Sequence, residues 1–324
     1  MKLFFSYGHD DNEEIVNKIK ENLEARGHEV WIDKASIKSG DEWRKSITDG
    51  VNSSSMTMAF ASNHSIREPG VCLDELKIAV TVKCAFVQAV ILEPDINVPN
   101  IIGYRHFINM SDWSSKKNDL DYEDWYQEKL DEIINVIESD ETQKYAEEVE
   151  YLKNILKPDL SSSKKERLSK EYFCGRKWLS QKVDAWIKRE GKSNILVIDG
   201  SPGVGKSAFM ANQFTFNPNV GAILFCEWDN ASFNNLDAVS RNLIFQLATK
   251  LNDFSSILVE FFNNINESEA QHALNDSFKT LLLRNIKTLI DGNRPKTLIL
   301  IDGIDELEVN KDGSRMQNVL AELL

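Results

Sequence analysis

The chain has 324 residues, 42% hydrophobic and 27% charged, with a formal net charge of −13. This length suits about two domains with sizeable cores, and the excess acid leaves nucleic-acid binding without electrostatic support. Apolar runs fall far short of the ~20 residues that span a bilayer, and the opening Met1–Phe5 turns polar too soon for a signal peptide; Cys72, Cys84, Cys174 and Cys226 form no CxxC pair, so the chain reads as cytoplasmic with reduced thiols.

In chain order, Leu3–Tyr7 reads as a strand and Asn12–Arg26 as a helix, with Ile15, Ile19 and Leu23 at four-residue spacing and Gly27 as its stop. His28–Asp33 is the next strand, Lys34–Asp41 a polar loop and Trp43–Val51 a helix. Met56–Ser62 reads as a strand, Cys72–Val82 as a helix, Phe86–Leu92 as a strand and His106–Met110 as the fifth. Tyr122–Glu138 closes the unit as an amphipathic helix on Trp125, Leu130, Ile133, Ile134 and Ile137. Five strands alternating with helices in this length predict an α/β, flavodoxin-like parallel sheet over residues 1–138.

Residues 139–171 form a charged linker, helical over Asp140–Leu156 and broken near Ser161-Ser162-Ser163. A second α/β unit over 172–324 follows, with helix Trp178–Arg189, strand Asn194–Asp199, strand Gly221–Glu227, helices Leu236–Leu251, Phe254–Ile265 and Phe278–Ile290, and strand Thr297–Asp302.

Gly200-Ser201-Pro202-Gly203-Val204-Gly205-Lys206-Ser207 lies between the predicted strand 194–199 and a helix opening at Ala208. Glycines at these positions let consecutive N–H groups point into one concavity, which with the helix N-terminus makes an anion nest. Lys206 supplies a cation for the β- and γ-phosphates and Ser207 a hydroxyl ligand for Mg²⁺. Asp302, ending the apolar strand Leu298–Ile301, is placed to hold the same metal; Asp305 or Glu306 can orient an attacking water. These residues predict a P-loop NTPase binding ATP or ADP with Mg²⁺.

The acidic stretch Asp302-Gly303-Ile304-Asp305-Glu306 resembles that of NACHT-type STAND ATPases, and Phe173-Cys174-Gly175-Arg176 is similar to the F-x-G-R segment leading into that module. The resemblance implies a nucleotide-controlled switch, closed with ADP and oligomeric with ATP, in which Arg176 belongs to the nucleotide site. It also implies a sensor strand, a helical domain and a ligand sensor beyond Glu306, for which Leu307–Leu324 is too short, so the NTPase is expected to be C-terminally incomplete.

In the first unit, Phe4-Phe5-Ser6-Tyr7-Gly8-His9-Asp10-Asp11 resembles the opening strand of TIR domains. Trp31-Ile32-Asp33 and Gly40-Asp41-Glu42-Trp43 resemble their second strand and BB loop. Ser62-Asn63-His64-Ser65 followed by Cys72-Leu73-Asp74-Glu75-Leu76 is similar to the segment in which NAD⁺-cleaving TIR enzymes keep their catalytic glutamate. The resemblance implies Glu75 as catalyst, Phe5, Ser6, Tyr7, Gly8, Asp33, Trp43 and Ser62 around NAD⁺, and a neighbouring subunit's Lys34–Asp41 loop completing the site, so that homo-oligomerisation activates it in immune or cell-death signalling. By its residues alone, Glu75 sits beside the stripe Leu73, Leu76 and Val80, where a glutamate is more often a solvated flank than a catalyst; Trp43 fits a core cap, and His9 a surface loop. The competing reading is a non-catalytic TIR scaffold that recruits other TIR proteins.

Overall fold

A computed structural model describes residues 1–32, 47, 49–51, 53–67, 70, 72–73, 75–76, 79, 86–96, 98–99, 107–159, 173–188, 195–217, 219–284 and 297–307. The chain divides into two units, Met1–Glu147 and Glu148–Leu324.

The first unit is an α/β layer structure around a five-stranded, all-parallel sheet ordered β2-β1-β3-β4-β5. Its strands are β1 (Lys2–Ser6), β2 (Glu29–Ile32), β3 (Met56–Ala61), β4 (Phe86–Ile91) and β5 (Ile108–Asn109). Every residue of β3 and β4 is buried, whereas edge strand β2 is partly exposed; continuous apolar runs such as Met56–Ala61 are what a strand covered on both faces requires. Because the chain winds outward from β1 and β3 in opposite directions, loops at the carboxyl ends of these two strands part and leave a crevice.

Helix α1 (Glu13–Ala25) buries Ile15, Val16, Ile19 and Leu23. It ends where Gly27 N donates to Glu24 O and His28 N to Leu23 O, at 2.9 and 3.1 Å, the paired bonds of a Schellman stop with Gly27 at φ 90°. After α2 (Trp113–Lys116), helix α3 (Tyr122–Glu138) buries Tyr126, Leu130, Ile133, Ile134 and Ile137. Tyr126, not the expected Trp125, opens that stripe, because it lies four residues before Leu130; Trp125 stays on the shoulder, stacked on Tyr122 with ring centroids 5.8 Å apart. The predicted helices over 43–51 and 72–82 are described only in part: Ile47, Asp49, Gly50 and Val51 are helical, as are Cys72, Leu73, Glu75, Leu76 and Ala79.

Helix α4 (Asp140–Leu156) is less of a solvated linker than its composition implies. Tyr145, Leu152 and Leu156 are buried, and Glu148 accepts hydrogen bonds from Ser255 Oγ and Ser256 Oγ at 2.7 and 2.9 Å.

In the second unit, α5 (Lys177–Lys188) and α6 (Lys206–Phe216) precede β6 (Val220–Phe225), and β7 (Leu298–Asp302) pairs with β6 in parallel. Between these strands lie α7 (Ala231–Asn234), α8 (Leu236–Lys250), α9 (Asn252–Asn263) and α10 (Glu267–Asn275), then a π-helical turn over Phe278–Leu283. Helix α8 is buried on nearly all sides, as a central helix is. Its Gln246 side chain accepts from Ile223 N at 3.1 Å and donates to Ile223 O at 3.0 Å. Among the described residues, one amide thus takes the place of a neighbouring strand at Ile223 of β6.

The expected strand 194–199 is not strand-paired over its described residues 195–199. Leu196 and Val197 are 41% and 79% exposed. An apolar run becomes a strand only when a neighbour supplies its ladder, and propensity alone does not.

Candidate functional site

The crevice of the first unit is built on three consecutive residues leaving β1. Ser6 Oγ donates to Glu75 Oε2 at 2.7 Å; Cys72 Sγ donates to Tyr7 O at 2.9 Å; His64 Nδ1 meets Gly8 O at 2.6 Å. The helical segment bearing Cys72 and Glu75 and the turn after β3 are thereby pinned to the exit of β1. A carbonyl only accepts, so the last bond fixes the hydrogen of His64 on Nδ1.

Glu75 is 3% exposed, which removes the solvated-flank reading of its side chain. A buried carboxylate needs hydrogen-bond partners, and Ser6 supplies one. Burial pushes the Cys72 thiol well above its ordinary range, and the charge of Glu75 adds to the effect. Cys72 is therefore a neutral donor to the backbone and not a nucleophile.

A polar network not anticipated from sequence braces the rest of the edge. Ser62 Oγ donates to Asp10 Oδ2 at 2.5 Å and accepts from Ser65 N at 3.0 Å. Asp10 Oδ1 accepts from Asn12 N and Nδ2 at 2.9 and 3.0 Å. Asn12 Nδ2 also donates to Glu93 Oε1 at 3.0 Å, and Trp113 Nε1 donates to Asn12 Oδ1 at 2.9 Å. Glu93 Oε2 takes Asn63 N and Nδ2 at 2.9 and 2.7 Å. Within it, the Asp10–Asn12 and Ser62–Ser65 contacts are local; the other partners are 30 to 101 residues apart.

Of the residues expected around a dinucleotide, Ser6, Tyr7 and Gly8 line this edge. Phe5 differs: its ring lies in the core, 4.8 Å from that of Phe60, because it alternates with Ser6 along β1. Ser62 is 1% exposed with its hydroxyl engaged on both sides, and so acts as a brace. His9 is half-buried, its ring 4.3 Å from that of Tyr7. Asp33, Trp43 and the 34–41 loop lie outside the described residues.

In the second unit, Gly203 and Gly205 have φ of 79° and 84°, backbone that L side chains rarely adopt, and Gly205 caps α6. Lys206 Nζ folds over the loop onto Gly200 O at 2.6 Å and Ser201 O at 3.3 Å. Ser207 Oγ donates to Asp302 Oδ2 at 2.6 Å. Arg176 Nη2 donates to Val204 O, which brings the 173–176 segment onto the loop, with Phe173 6.2 Å from Phe209. Ser201, Pro202 and Ala208 lie along the same loop and helix start. A hydroxyl and a carboxylate already in contact beside a glycine cradle and a lysine are a donor set that fits a nucleotide with magnesium. The two downstream carboxylates separate: Glu306 Oε2 accepts from Trp228 N at 3.2 Å, while Asp305 is exposed. Among the described residues, no cluster of metal-ligating side chains occurs by itself, and no helix is long and apolar enough to cross a membrane.

Residues 3–125 match the family model for the TIR domain, and residues 175–324 match that described as "Nephrocystin 3, N-terminal". A 66-residue stretch is 33% identical to NAD(+) hydrolase PdTIR of Paracoccus denitrificans (strain Pd 1222). That stretch covers 20% of this chain and 22% of the relative. The first unit is a TIR domain with the five-stranded, flavodoxin-like parallel sheet that its sequence predicts.

Proposed function

We propose that the TIR domain cleaves the N-glycosidic bond of NAD⁺ with Glu75 as its catalytic carboxylate. The observation that carries this reading is the burial of Glu75 at the carboxyl end of β1, held by Ser6. The nicotinamide of NAD⁺ is a cationic leaving group, so no acid is needed. The C1′–N bond breaks with its electron pair returning to the ring, and positive charge develops on the ribose as in glycoside cleavage. A carboxylate withdrawn from water stabilises that charge far better than an exposed one. Water then adds at C1′ and releases a proton, or a nucleophilic atom of the same dinucleotide closes a cycle. The activity in the name of the Paracoccus relative supports the same chemistry.

We further infer that residues 172–324 are a NACHT-like STAND P-loop NTPase, joined to the TIR domain through a linker over 139–171. Gly200–Ala208 and Arg176 would hold ATP or ADP, with Ser207 and Asp302 on Mg²⁺, which when bound supplies charge neutralisation for the phosphates. Asp305, exposed beside this site, is the freer of the two downstream carboxylates to order water. ATP-driven assembly would bring TIR domains together and switch NAD⁺ cleavage on, in an immune or cell-death response.

The test is NAD⁺ consumption by the full chain, with and without artificial clustering. Glu75→Ala and Glu75→Gln should lose about 10²–10³-fold or more of turnover even when clustered. Lys206→Ala should lose only nucleotide-driven activation. Turnover persisting in both Glu75 variants removes the catalytic assignment, and no turnover from any form favours a scaffold that recruits other TIR domains.

A further inference from the structure

The second unit exposes two tryptophans, each set in a surface dominated by one sign of charge. Trp228 is 73% exposed, just past the carboxyl end of β6. Its backbone is pinned on both sides: its N–H donates to Glu306 Oε2 at 3.2 Å, and its carbonyl accepts from Asn234 Nδ2 at 2.5 Å. Asn234 is buried, so the indole stands on a fixed support. Every charged residue in 226–230 and 303–307 is acidic: Glu227, Asp229, Asp305 and Glu306.

Trp178 lies on α5 and is 57% exposed. Val183 is the buried residue of that helix, and five positions place Trp178 about 140° around the helix from it. Lys182, one turn after Trp178, holds its Nζ 5.1 Å from the indole centroid. Exposed Lys177, Lys182 and Lys188 outnumber the single acid of the helix, Asp184. The other side of α5 meets α6, where Gln213 Nε2 donates to Ser180 Oγ at 3.0 Å.

Exposed indoles on rigid supports have the character of interface anchors. Face to face with its own kind, each surface would set like charges against each other, whereas the two different surfaces attract, and every copy carries both. This complementarity selects a head-to-tail contact, which repeats into a ring or filament, over a two-fold contact that stops at a dimer.

We propose that the acidic Trp228 surface of one copy docks on the lysine-bearing Trp178 face of α5 of the next, joining second units head to tail. This rests on the reading that the second unit assembles, and it names the two surfaces that do so. Trp228 hangs on Glu306, four residues after Asp302, whose carboxylate meets Ser207. The acidic half of the joint thus shares a loop with the phosphate cradle.

The experiment follows the mass of the full chain by analytical ultracentrifugation, without nucleotide, with ADP and Mg²⁺, and with a non-hydrolysable ATP analogue and Mg²⁺. Wild type should grow beyond a dimer in at least one condition and shrink as salt rises. Trp228→Ser and Trp178→Ser should each weaken association about 30-fold, and Lys182→Glu about tenfold, with melting temperatures unchanged because all three side chains are exposed. The decisive arm mixes the two tryptophan variants. Each pair retains one intact joint, so the mixture should stop at dimers while either variant alone stays monomeric. Assembly that survives in these variants, or a mixture no larger than its components, overturns the two surfaces and leaves assembly by another route in place. Assembly lost in the variants yet indifferent to nucleotide keeps the surfaces and sinks the ATP switch alone. A wild type that is monomeric throughout overturns both.

Discussion

Cys72 and Glu75 lie three residues apart on one helical segment, both buried, and each limits what the other can do. Burial first, and Glu75 second, push the thiol above its ordinary value, so the folded protein keeps it protonated on Tyr7 O. Because its folded pKa exceeds its unfolded one, the associated stability is complete below about pH 8.5 and declines as pH rises. There the unfolded chain ionises a thiol that the fold does not. The expected slope from this thiol approaches 1.4 kcal/mol per pH unit, and a series of urea denaturations from pH 8 to 10 should show a steeper decline in wild type than in Cys72→Ala, which keeps only the part due to buried tyrosines such as Tyr126 near pH 10. Iodoacetamide at pH 8 should label exposed Cys174 and spare Cys72 until the domain unfolds; early labelling of Cys72 contradicts the burial.

At the level of elements, the second unit shows how a side chain takes the place of a neighbouring strand. Gln246 is buried on α8 and satisfies both backbone groups of Ile223. Gln246→Leu preserves bulk but leaves a buried N–H and a buried C=O without that partner, at a cost of about 2 kcal/mol or more. Gln271→Leu, on the exposed face of α10, should change stability by about 0.5 kcal/mol at most. Urea unfolding of the two variants checks the difference, and equal midpoints would remove the edge-capping role. The same helix illustrates a legible cap, Asn235 accepting from Asp237 N and Ala238 N at 3.1 Å. Helix α10 carries a capping box between Asn266 and Glu269; its Asn-x-x-Glu signature is present in the sequence, yet α10 is absent from the elements predicted, because weak apolar periodicity masked it.

Across the whole molecule, the proposed function divides the chemistry between a carboxylate crevice in the first unit and a phosphate cradle in the second. If the cradle binds nucleotide, ADP with Mg²⁺ at a hundred times its Kd should stabilise the folded chain by about 2.7 kcal/mol. Differential scanning fluorimetry should register this as a higher melting temperature. Lys206→Ala should abolish the shift, and Asp302→Ala should remove its dependence on magnesium. A shift that persists in Lys206→Ala would place the nucleotide elsewhere.

The sequence alone determined the order of elements in the TIR domain, since continuous apolar runs bounded by Gly and Pro specify buried strands, and four-residue spacing specifies α1 and α3. It also marked Lys206, Ser207 and Asp302, whose types and spacings are local signals, and, through the resemblance to TIR domains, Ser6 and Glu75. Only tertiary structure decided that Glu75 is buried on Ser6 and not solvated, that Ser62 braces Asp10, and that Phe5 faces the core. The same holds for Ile195–Asp199, an apolar run lying outside the sheet. These outcomes depend on which residue arrives from 50 or more positions away, and no window along the chain contains that partner.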